Sequence, residues 1–424
     1  MVVSSLLFEA GAAGGIRGQA RSNLKSLGID TRGMVVQRGS HNYAGPRCPG
    51  KRWTCTTARR VLQVGGDNKV DCTPGTPSIL TGTQGCVIVQ NGPGRNSARC
   101  FERSDSDVIA QDCNITQTGT QNTATIDQAI EANGGPTQSG TQTAEVMQTS
   151  TAGKNELTAK QHVHQDVHKF DTQTLDAFQE LTSTQTASGT GDNHANVHQD
   201  QNQDAHDGLT QSQNTNPTPA GVACFQFPAF APNQCANITQ NADAGDNRNE
   251  LEQSIDQDEH SNVLADQTQG SFGGGINGHV ELSSVTGSSH NEAHQSKSQD
   301  AKGAPGSTQT QTDPIGCCGA SAQGNTRSRE TLDQSSTQNA SEGAAAQQFL
   351  EIFGVVSSAD GSCSITQHAT NNSDSSNVPV SLSPCPVLLL TTICMSGSIG
   401  EQPTQNAGRC VAFEPEGGGD LTRR

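Results

Sequence analysis

The chain has 424 residues, of which 31% are hydrophobic and 3% aromatic, and its formal net charge at pH 7 is −17. This composition excludes a wide apolar core, because too few side chains can be buried without needing hydrogen-bond partners. Any ordered structure must therefore depend largely on hydrogen bonds made by the backbone and by side-chain amides.

The N-terminal segment differs in charge from the rest of the chain. Residues 1–60 contain ten Lys or Arg against two acidic residues, so the remaining chain carries the negative charge. We interpret residues 1–40 as a solvated basic tail. The segment lacks the interleaved aromatic residues of a single-strand nucleic-acid site, so no specific nucleic acid is expected as a partner. Its opening, MVVSSLLFEAGAAGG, has no basic n-region, and a signal peptide is not clearly present.

Residues 41–112 form a cysteine-rich region that begins the repeat array. The chain contains 14 cysteines and no CxxC pair, which favours disulfides in an extracellular or cell-surface setting over a zinc site. Neighbouring repeats lie close in space, so sequence-local pairing is expected. The predicted bridges are Cys72–Cys86, Cys100–Cys113 and Cys224–Cys235, with Cys48–Cys55 and Cys385–Cys394 as further candidates.

Tyr43 and Trp53 are the only residues of their types, and both lie beside Cys48 and Cys55. This grouping predicts a small disulfide-stapled cap at the start of the array, because terminal repeats need covered ends. An irregular N-terminal loop is the alternative.

A polar phrase recurs with a fixed period. Gln63, Gln90 and Gln117 are spaced 27 residues apart, and each is followed two residues later by Gly and then by an Asn. A constant period in this range indicates a stacked, solenoid-like array. The predicted ladder residues are Gln63, Asn68, Gln90, Asn96, Gln117, Gly119, Asn122, Ala124 and Gln128.

Looser copies follow the sharp ones. Gln138-x-Gly140 is interpreted as the opening of one copy, and Asn155, Asn193 and Asn247 lie in others. The phrases CNITQ, CANITQ and CSITQ begin at Cys113, Cys235 and Cys363, and we interpret them as a duplicated block whose third copy is eroded.

Each repeat alternates with the two-residue period of a strand, and Gly119 supplies a turn. The repeats therefore predict strand–turn–strand units. Strands stacked about 4.8 Å apart would let equivalent Gln and Asn amides hydrogen-bond along the stack. The predicted interior carries Gln, Asn and Ala rather than Leu and Val. The predicted fold class is all-β: an irregular, disulfide-stapled β-solenoid with Gln/Asn ladders and disordered or loop-rich segments.

The stretch CNITQTGTQNTATIDQ, residues 113–128, resembles the curlin repeat of bacterial curli fibres, which has the form Gln-x-Gly-x-x-Asn-x-Ala-x-x-x-Gln. The resemblance is sharp there and partial over about 61–270. It implies an amyloid-like β-solenoid that self-assembles outside the cell. The leading serine of that family is absent, the repeat length varies, and curlin subunits are shorter and lack this cysteine array.

The remaining chain is divided by composition. Residues 113–270 are predicted to be the Gln/Thr/Asn-rich β-repeat region. Residues 271–345 are a Gly/Ser/Gln-rich linker or degenerate repeats, and residues 346–424 are a cysteine-containing C-terminal region. No transmembrane segment is expected, because the longest apolar run, 387–395, is too short to span a membrane.

Candidate catalytic chemistry is sparse. His162, His164 and His168 were considered as metal ligands, but a solvated histidine run is the preferred interpretation, so no metal site is predicted. No GxSxG context, phosphate loop or EF-hand loop occurs. We therefore expect neither catalytic residues nor a cofactor, and no enzymatic activity.

The predicted function is that of an extracellular structural or adhesive repeat protein, namely a matrix, fibre or surface-coat component. Its expected partners are further copies of itself or a cell or matrix surface. Two alternatives stay open from the sequence: an ice- or surface-binding β-solenoid, and a largely disordered secreted polar protein.

Overall fold

The computed structural model describes residues 34–73, 81–214, 233–269, 276–305, 307–315, 320–324, 328–341, 345–352, 355–358, 361–373, 381–382, 392–395 and 404–407. Within these ranges the regular structure consists of β-strands in a single sheet system. In the same ranges we find no helix with the length and apolar character needed to cross a membrane.

The strands are numbered in chain order. They are β1 Val35–Ala44, β2 Thr54–Thr56, β3 Arg60–Cys72, β4 Thr81–Asn91, β5 Arg95–Ser104, β6 Val108–Gly119, β7 Gln121–Ala132, β8 Thr137–Thr151, β9 Asn155–His168, β10 Thr172–Ser188, β11 Asn193–His206, β12 Thr210–Gln213, β13 Gln234–Ala242, β14 Asn247–His260, β15 Asp266–Gln269, β16 Ile276–Ser284, β17 Ser289–Lys302, β18 Thr308–Ile315, β19 Ala320–Gly324, β20 Ser328–Ser341, β21 Ala345–Ile352, β22 Val355–Ser358, β23 Gly361–Ser373, β24 Ser381–Leu382, β25 Thr392–Met395 and β26 Thr404–Ala407.

The strands stack as the rungs of a parallel β-solenoid. One rung consists of two strands joined by a turn, for example β6 and β7, and each strand pairs in parallel with its counterpart one rung later. The exceptions among the described residues are β25 and β26, which pair antiparallel with β22 and β23. The strands β4, β6, β8, β10, β13 and β16 form one wall, and β5, β7, β9, β11, β14, β17 and β20 form the other. The prediction of an all-β solenoid is confirmed, and over the described residues the chain is not the largely disordered protein of the second alternative.

The rungs after the first ones are longer. Equivalent interior residues are 26 or 27 apart in the early rungs, then 31, 37 and 55 apart, and finally 42 and 39 apart. Longer strands account for the first increase: β4 has 11 residues, whereas β10 has 17. In later rungs an additional short strand, such as β12 or β15, precedes the two main strands. The cross-section therefore widens away from the first rungs.

The interior is less polar than the sequence predicted. Between the amide columns runs an apolar column on each wall, formed on one side by Val61, Ile88, Ile115 and Val146. The opposite wall contributes Ile126, Ala159, Val197, Leu251 and Leu332. The expectation of an interior without Leu and Val was wrong because each rung has enough inward positions for both kinds of column.

The first rung carries a small cap. Thr54–Thr56 pairs with Asn42–Ala44 on the side of β1 that faces away from β3. Trp53 contacts the rings of His41 and Tyr43 edge-on at centroid distances of 5.4 and 6.3 Å. The first strand begins at Val35, so the stack starts within the segment that was assigned to the basic tail.

The stack continues through the segment described as linker or degenerate repeats. β16, β17 and β20 extend both walls in register with β13 and β14. The third copy of the duplicated phrase lies elsewhere than expected. Gln117 and Gln240 occupy one column of the first wall, whereas Gln367 pairs with Gln334 on the second wall. That phrase is therefore not a third copy in the same structural position.

Candidate functional site: interior amide ladders and two outer faces

The predicted glutamines form a continuous hydrogen-bonded column inside the first wall. Gln117 is fully buried, and its Nε2 donates to Oε1 of Gln90 at 2.7 Å and to the carbonyl oxygen of Thr123 across the rung at 3.0 Å. The same two donations recur from Gln63 onward, whereas Gln37, the first member, donates to the carbonyl oxygens of Tyr43 and of Thr54 in the cap. The members of the column are Gln37, Gln63, Gln90, Gln117, Gln148, Gln185 and Gln240.

The predicted asparagines form a second column on the opposite wall. Asn122 is fully buried, and its Nδ2 donates to Oδ1 of Asn155 at 2.8 Å and to the carbonyl oxygen of Thr149 in the next rung, also at 2.8 Å. The column consists of Asn42, Asn68, Asn96, Asn122, Asn155, Asn193 and Asn247.

The two columns donate in opposite directions along the stack. Each Gln amide donates to the preceding rung, whereas each Asn amide donates to the following one. The amide dipoles of the two columns therefore oppose each other. Both N–H groups of each amide are satisfied, which offsets the cost of burying a polar group.

Gly119 lies where the two strands of a rung turn. A Cβ added there would collide with the Asn96 amide and would lie 2.7 Å from the carbonyl oxygen of Gly92. Gly39, Gly65 and Gly119 occupy equivalent turn positions, and the next rung has Ser150 there. Gln138 and Gly140 are not the equivalent pair: the residue aligned with Gln117 is Gln148, and the sequence assignment of this copy was wrong.

Gln128 belongs to another column, which begins at an acidic residue. It donates to Oε2 of Glu102 at 2.8 Å and accepts from Gln161. The column continues through Gln199, Gln253, Gln295 and Gln334. Glu102 is fully buried and its Oε1 has no hydrogen-bond partner. Burial raises the pKa of Glu102 to about 7, although the Gln128 hydrogen bond acts in the opposite direction.

The sequence analysis missed several further amide columns. Gln84, Gln111, Gln142, Gln179 and Gln234 form one on the first wall. Each lies six residues before a member of the first Gln column, and this constant Gln-x5-Gln spacing could have revealed it. The longer rungs add three more Gln columns: Gln165, Gln203, Gln257, Gln299 and Gln338; Gln173, Gln211, Gln267 and Gln309; and Gln213, Gln269 and Gln311.

Disulfides join consecutive rungs at the narrow end of the solenoid. Cys72 is bonded to Cys86 and Cys100 to Cys113, with all four residues buried in the apolar columns. Cys48 is bonded to Cys55 beside the cap. Cys235 is also disulfide-bonded. Cys224, the predicted partner of Cys235, and Cys385, the predicted partner of Cys394, lie outside the described residues. The disulfides indicate folding in an oxidising environment.

We expect the double variant Cys100→Ala/Cys113→Ala to lose about 3 kcal/mol of unfolding free energy, because a bridge across 13 residues restricts the unfolded chain. Denaturant melts of the oxidised proteins measure the difference. The variant Cys48→Ala/Cys55→Ala, which removes an exposed bridge, should lose less. Equal stability of wild type and the Cys100/Cys113 variant would contradict the structural role of the interior bridge.

The outer face of the second wall is rich in histidine and acidic residues. His162, His164 and His168 all point outward from β9, as strand alternation predicted. They do not converge: His162 Nδ1 lies 2.8 Å from Oδ2 of Asp200, whereas His168 Nε2 lies 2.9 Å from Oδ1 of Asp166. The hydrogen bond to Asp200 raises the pKa of His162.

The outer face of the first wall carries threonines instead. Thr118, Thr149 and Thr186 form an outward column in register over three rungs. The two faces of the solenoid are therefore chemically different, one hydroxyl-rich and one rich in imidazole and carboxylate groups.

The chain matches no protein-family model, no curated protein and no solved structure.

Proposed function

We propose that the chain is a non-catalytic, extracellular structural protein with a curlin-like repeat, acting as a matrix, fibre or surface-coat component. The observation that supports this most strongly is the set of interior amide columns, two of which run through seven residues each, from Gln37 to Gln240 and from Asn42 to Asn247, before Leu282 and Ser289 follow. In the rung of β6 and β7, Gln117, Asn122, Ala124 and Gln128 all point inward, and Gly119 forms the turn, as the curlin pattern implies. Such a rod resists unfolding because each rung satisfies the buried amides of its neighbours.

The ends of the rod provide the means of assembly in this proposal. The outermost strand of a parallel stack presents unpaired backbone groups that can pair with another chain. Among the described residues, β2 covers only Asn42–Ala44 of the first strand. Asn42 Oδ1, the first acceptor of the Asn column, is buried without a hydrogen bond. Thr54 of β2 pairs with Asn42, so a further rung from a second copy would supply this donor once β2 is displaced.

Assembly of the purified, oxidised chain tests the proposal. We expect concentration-dependent fibres in negative-stain electron microscopy, with a spacing of about 4.8 Å along the fibre by X-ray diffraction. The variant Cys48→Ser/Cys55→Ser, which loosens the cap, should assemble faster. A monodisperse monomer at every concentration for both proteins would overturn the structural role proposed here.

Ice or surface binding is the second candidate, and the threonine column Thr118, Thr149 and Thr186 favours it. Regularly spaced hydroxyl and methyl groups on a flat sheet could order water or contact a solid surface. The hydroxyl pattern is limited on this face, because Asn241 follows Thr186 in the column and Met147 follows Thr116 in the neighbouring column. Thermal hysteresis of the wild type that disappears in Thr149→Glu would favour this function over the structural one.

A further inference from the structure

The histidines are concentrated on one outer face. Nine of the twelve in the chain point outward from the consecutive second-wall strands β9, β11, β14 and β17. They are His162, His164, His168, His194, His198, His206, His260, His290 and His294. Imidazole is the side chain that most often binds transition metals in proteins.

One edge of this face repeats the same dipeptide spacing. Asp-x-His occurs at Asp166/His168, Asp204/His206 and Asp258/His260, in three successive rungs. The strand register aligns these residues as one aspartate column and one histidine column. In the following rung Asp300 continues the aspartate column, whereas Lys302 stands at the position of the histidine.

The side chains of these columns converge in two places. The ligand atoms of Asp166, His168 and His206 all lie within 4.8 Å of one another, and so do those of Asp258, His260 and Asp300. The rings of His168 and His206 stack with centroids 4.7 Å apart. Both groups are at least partly accessible to solvent.

A carboxylate oxygen in each place has the position of a metal ligand. Oδ1 of Asp166 lies 2.9 Å from His168 Nε2, and Oδ1 of Asp258 lies 3.2 Å from His260 Nε2. Both oxygens are buried from solvent and accept no well-formed hydrogen bond. Two N or O ligands about 2.1 Å from a tetrahedral ion are separated by about 3.4 Å, so only small side-chain shifts are needed for both atoms to bind one ion. The other Asp166 oxygen, Oδ2, lies 3.2 Å from His168 Nε2. An aspartate oxygen without a well-formed hydrogen bond thus lies beside a histidine nitrogen in two places, two rungs apart.

We infer that this edge binds divalent transition-metal ions of the Zn²⁺ class, one held by Asp166, His168 and His206 and a second by Asp258, His260 and Asp300, with water completing each coordination shell. The imidazole nitrogens favour Zn²⁺, Ni²⁺ or Cu²⁺ over Ca²⁺ and Mg²⁺, which prefer oxygen ligands alone.

The two sites should differ in affinity. The first has two imidazole ligands, whereas the second has one. Lys302 lies beside His260 in the histidine column, and its ammonium group repels a bound cation at the second site. The site of Asp166, His168 and His206 is therefore the tighter one.

Calorimetric titration of the untagged, oxidised, EDTA-treated chain with Zn²⁺ tests the inference. We expect two equivalents of Zn²⁺ to bind and Ca²⁺ to bind at least tenfold more weakly. The variant His168→Ala/His206→Ala should lose the tighter equivalent or weaken it at least tenfold. Asp166→Asn, which keeps both imidazoles, should weaken the same equivalent, because the carboxylate is a ligand.

The matched control is His194→Ala/His198→Ala. It removes two outward imidazoles of β11 from other columns and should leave both equivalents unchanged. Circular dichroism before each titration checks that the outward substitutions leave the stack folded. Equal losses in the two double variants, or unchanged binding in His168→Ala/His206→Ala, would overturn the assignment. The titration is made on soluble chains, so its outcome is separate from that of the assembly experiment.

Discussion

Replacing Gln117 with Glu is expected to lower the free energy of unfolding by about 3 kcal/mol or more. The side chain is fully buried, and its Nε2 makes two hydrogen bonds that a carboxylate cannot donate. The charged oxygen would also face Oε1 of Gln90. Burying a charge without a partner costs several kcal/mol unless the group takes up a proton. Denaturant melts at pH 8 measure the loss.

The neighbouring residue provides the matched control. Thr118 points outward, so Thr118→Glu should change stability by only about 0.5 kcal/mol. The same comparison applies to the Asn column, where Asn122→Asp should be costly and Gln121→Glu should not. Equal stability of all four variants would show that this repeat has no inward amide face.

Replacing Glu102 with Gln is expected to stabilise the protein by about 3 kcal/mol at pH 8 and to change it little at pH 4. Burial raises the pKa of Glu102 from 4.5 to about 7, so the folded chain binds the proton more tightly than the unfolded chain does. The folded state therefore loses stability as the pH rises from about 4.5 to 7, by about 1.4 kcal/mol per pH unit. A glutamine is neutral throughout and keeps an oxygen to accept from Gln128.

Urea melts of the wild type and Glu102→Gln across this pH range measure the effect as the difference between the two curves. Glu131→Gln is the control, because Glu131 lies on the exposed side of β7. A constant difference between wild type and Glu102→Gln from pH 4 to pH 8 would mean that Glu102 does not titrate within the fold.

The repeat unit could be predicted from the sequence because it depends on local pattern. Alternation placed Gln117 and Asn122 inward, and the 27-residue period identified Gln90 as the partner of Gln117 and Gln63 as the partner of Gln90. Both features arise because one strand residue in two faces the interior and because parallel rungs repeat in register. The Cys72–Cys86 and Cys100–Cys113 bridges follow from the same proximity of neighbouring rungs.

The register of the longer rungs could not be predicted in this way. β8 has 15 residues, and its Gln138-x-Gly140 sequence has the same spacing as the opening of a repeat. The residue that continues the Gln117 column is Gln148. The CSITQ phrase was assigned to the wrong wall for a similar reason, because its alternating pattern fits a strand of either wall. Period alone does not determine which wall a strand joins.

The geometry of the proposed metal ligands could also not be predicted from the sequence. His162, His164 and His168 share a strand face, but side chains two apart on a strand are separated by almost 7 Å. The groups that converge come from neighbouring rungs, as His168 and His206 do. Their proximity depends on a register in which residues 38 apart are adjacent.

Hydrogen exchange of side-chain amides, followed residue by residue by NMR, tests the central claim that buried amide columns hold the stack together. We expect the side-chain NH2 groups of Gln90, Gln117 and Asn122 to exchange only when the stack opens, many orders of magnitude more slowly than free amides. The half-exposed amide of Gln121 should exchange rapidly. Exchange of Gln117 and Asn122 as fast as that of Gln121 would contradict the amide-ladder structure.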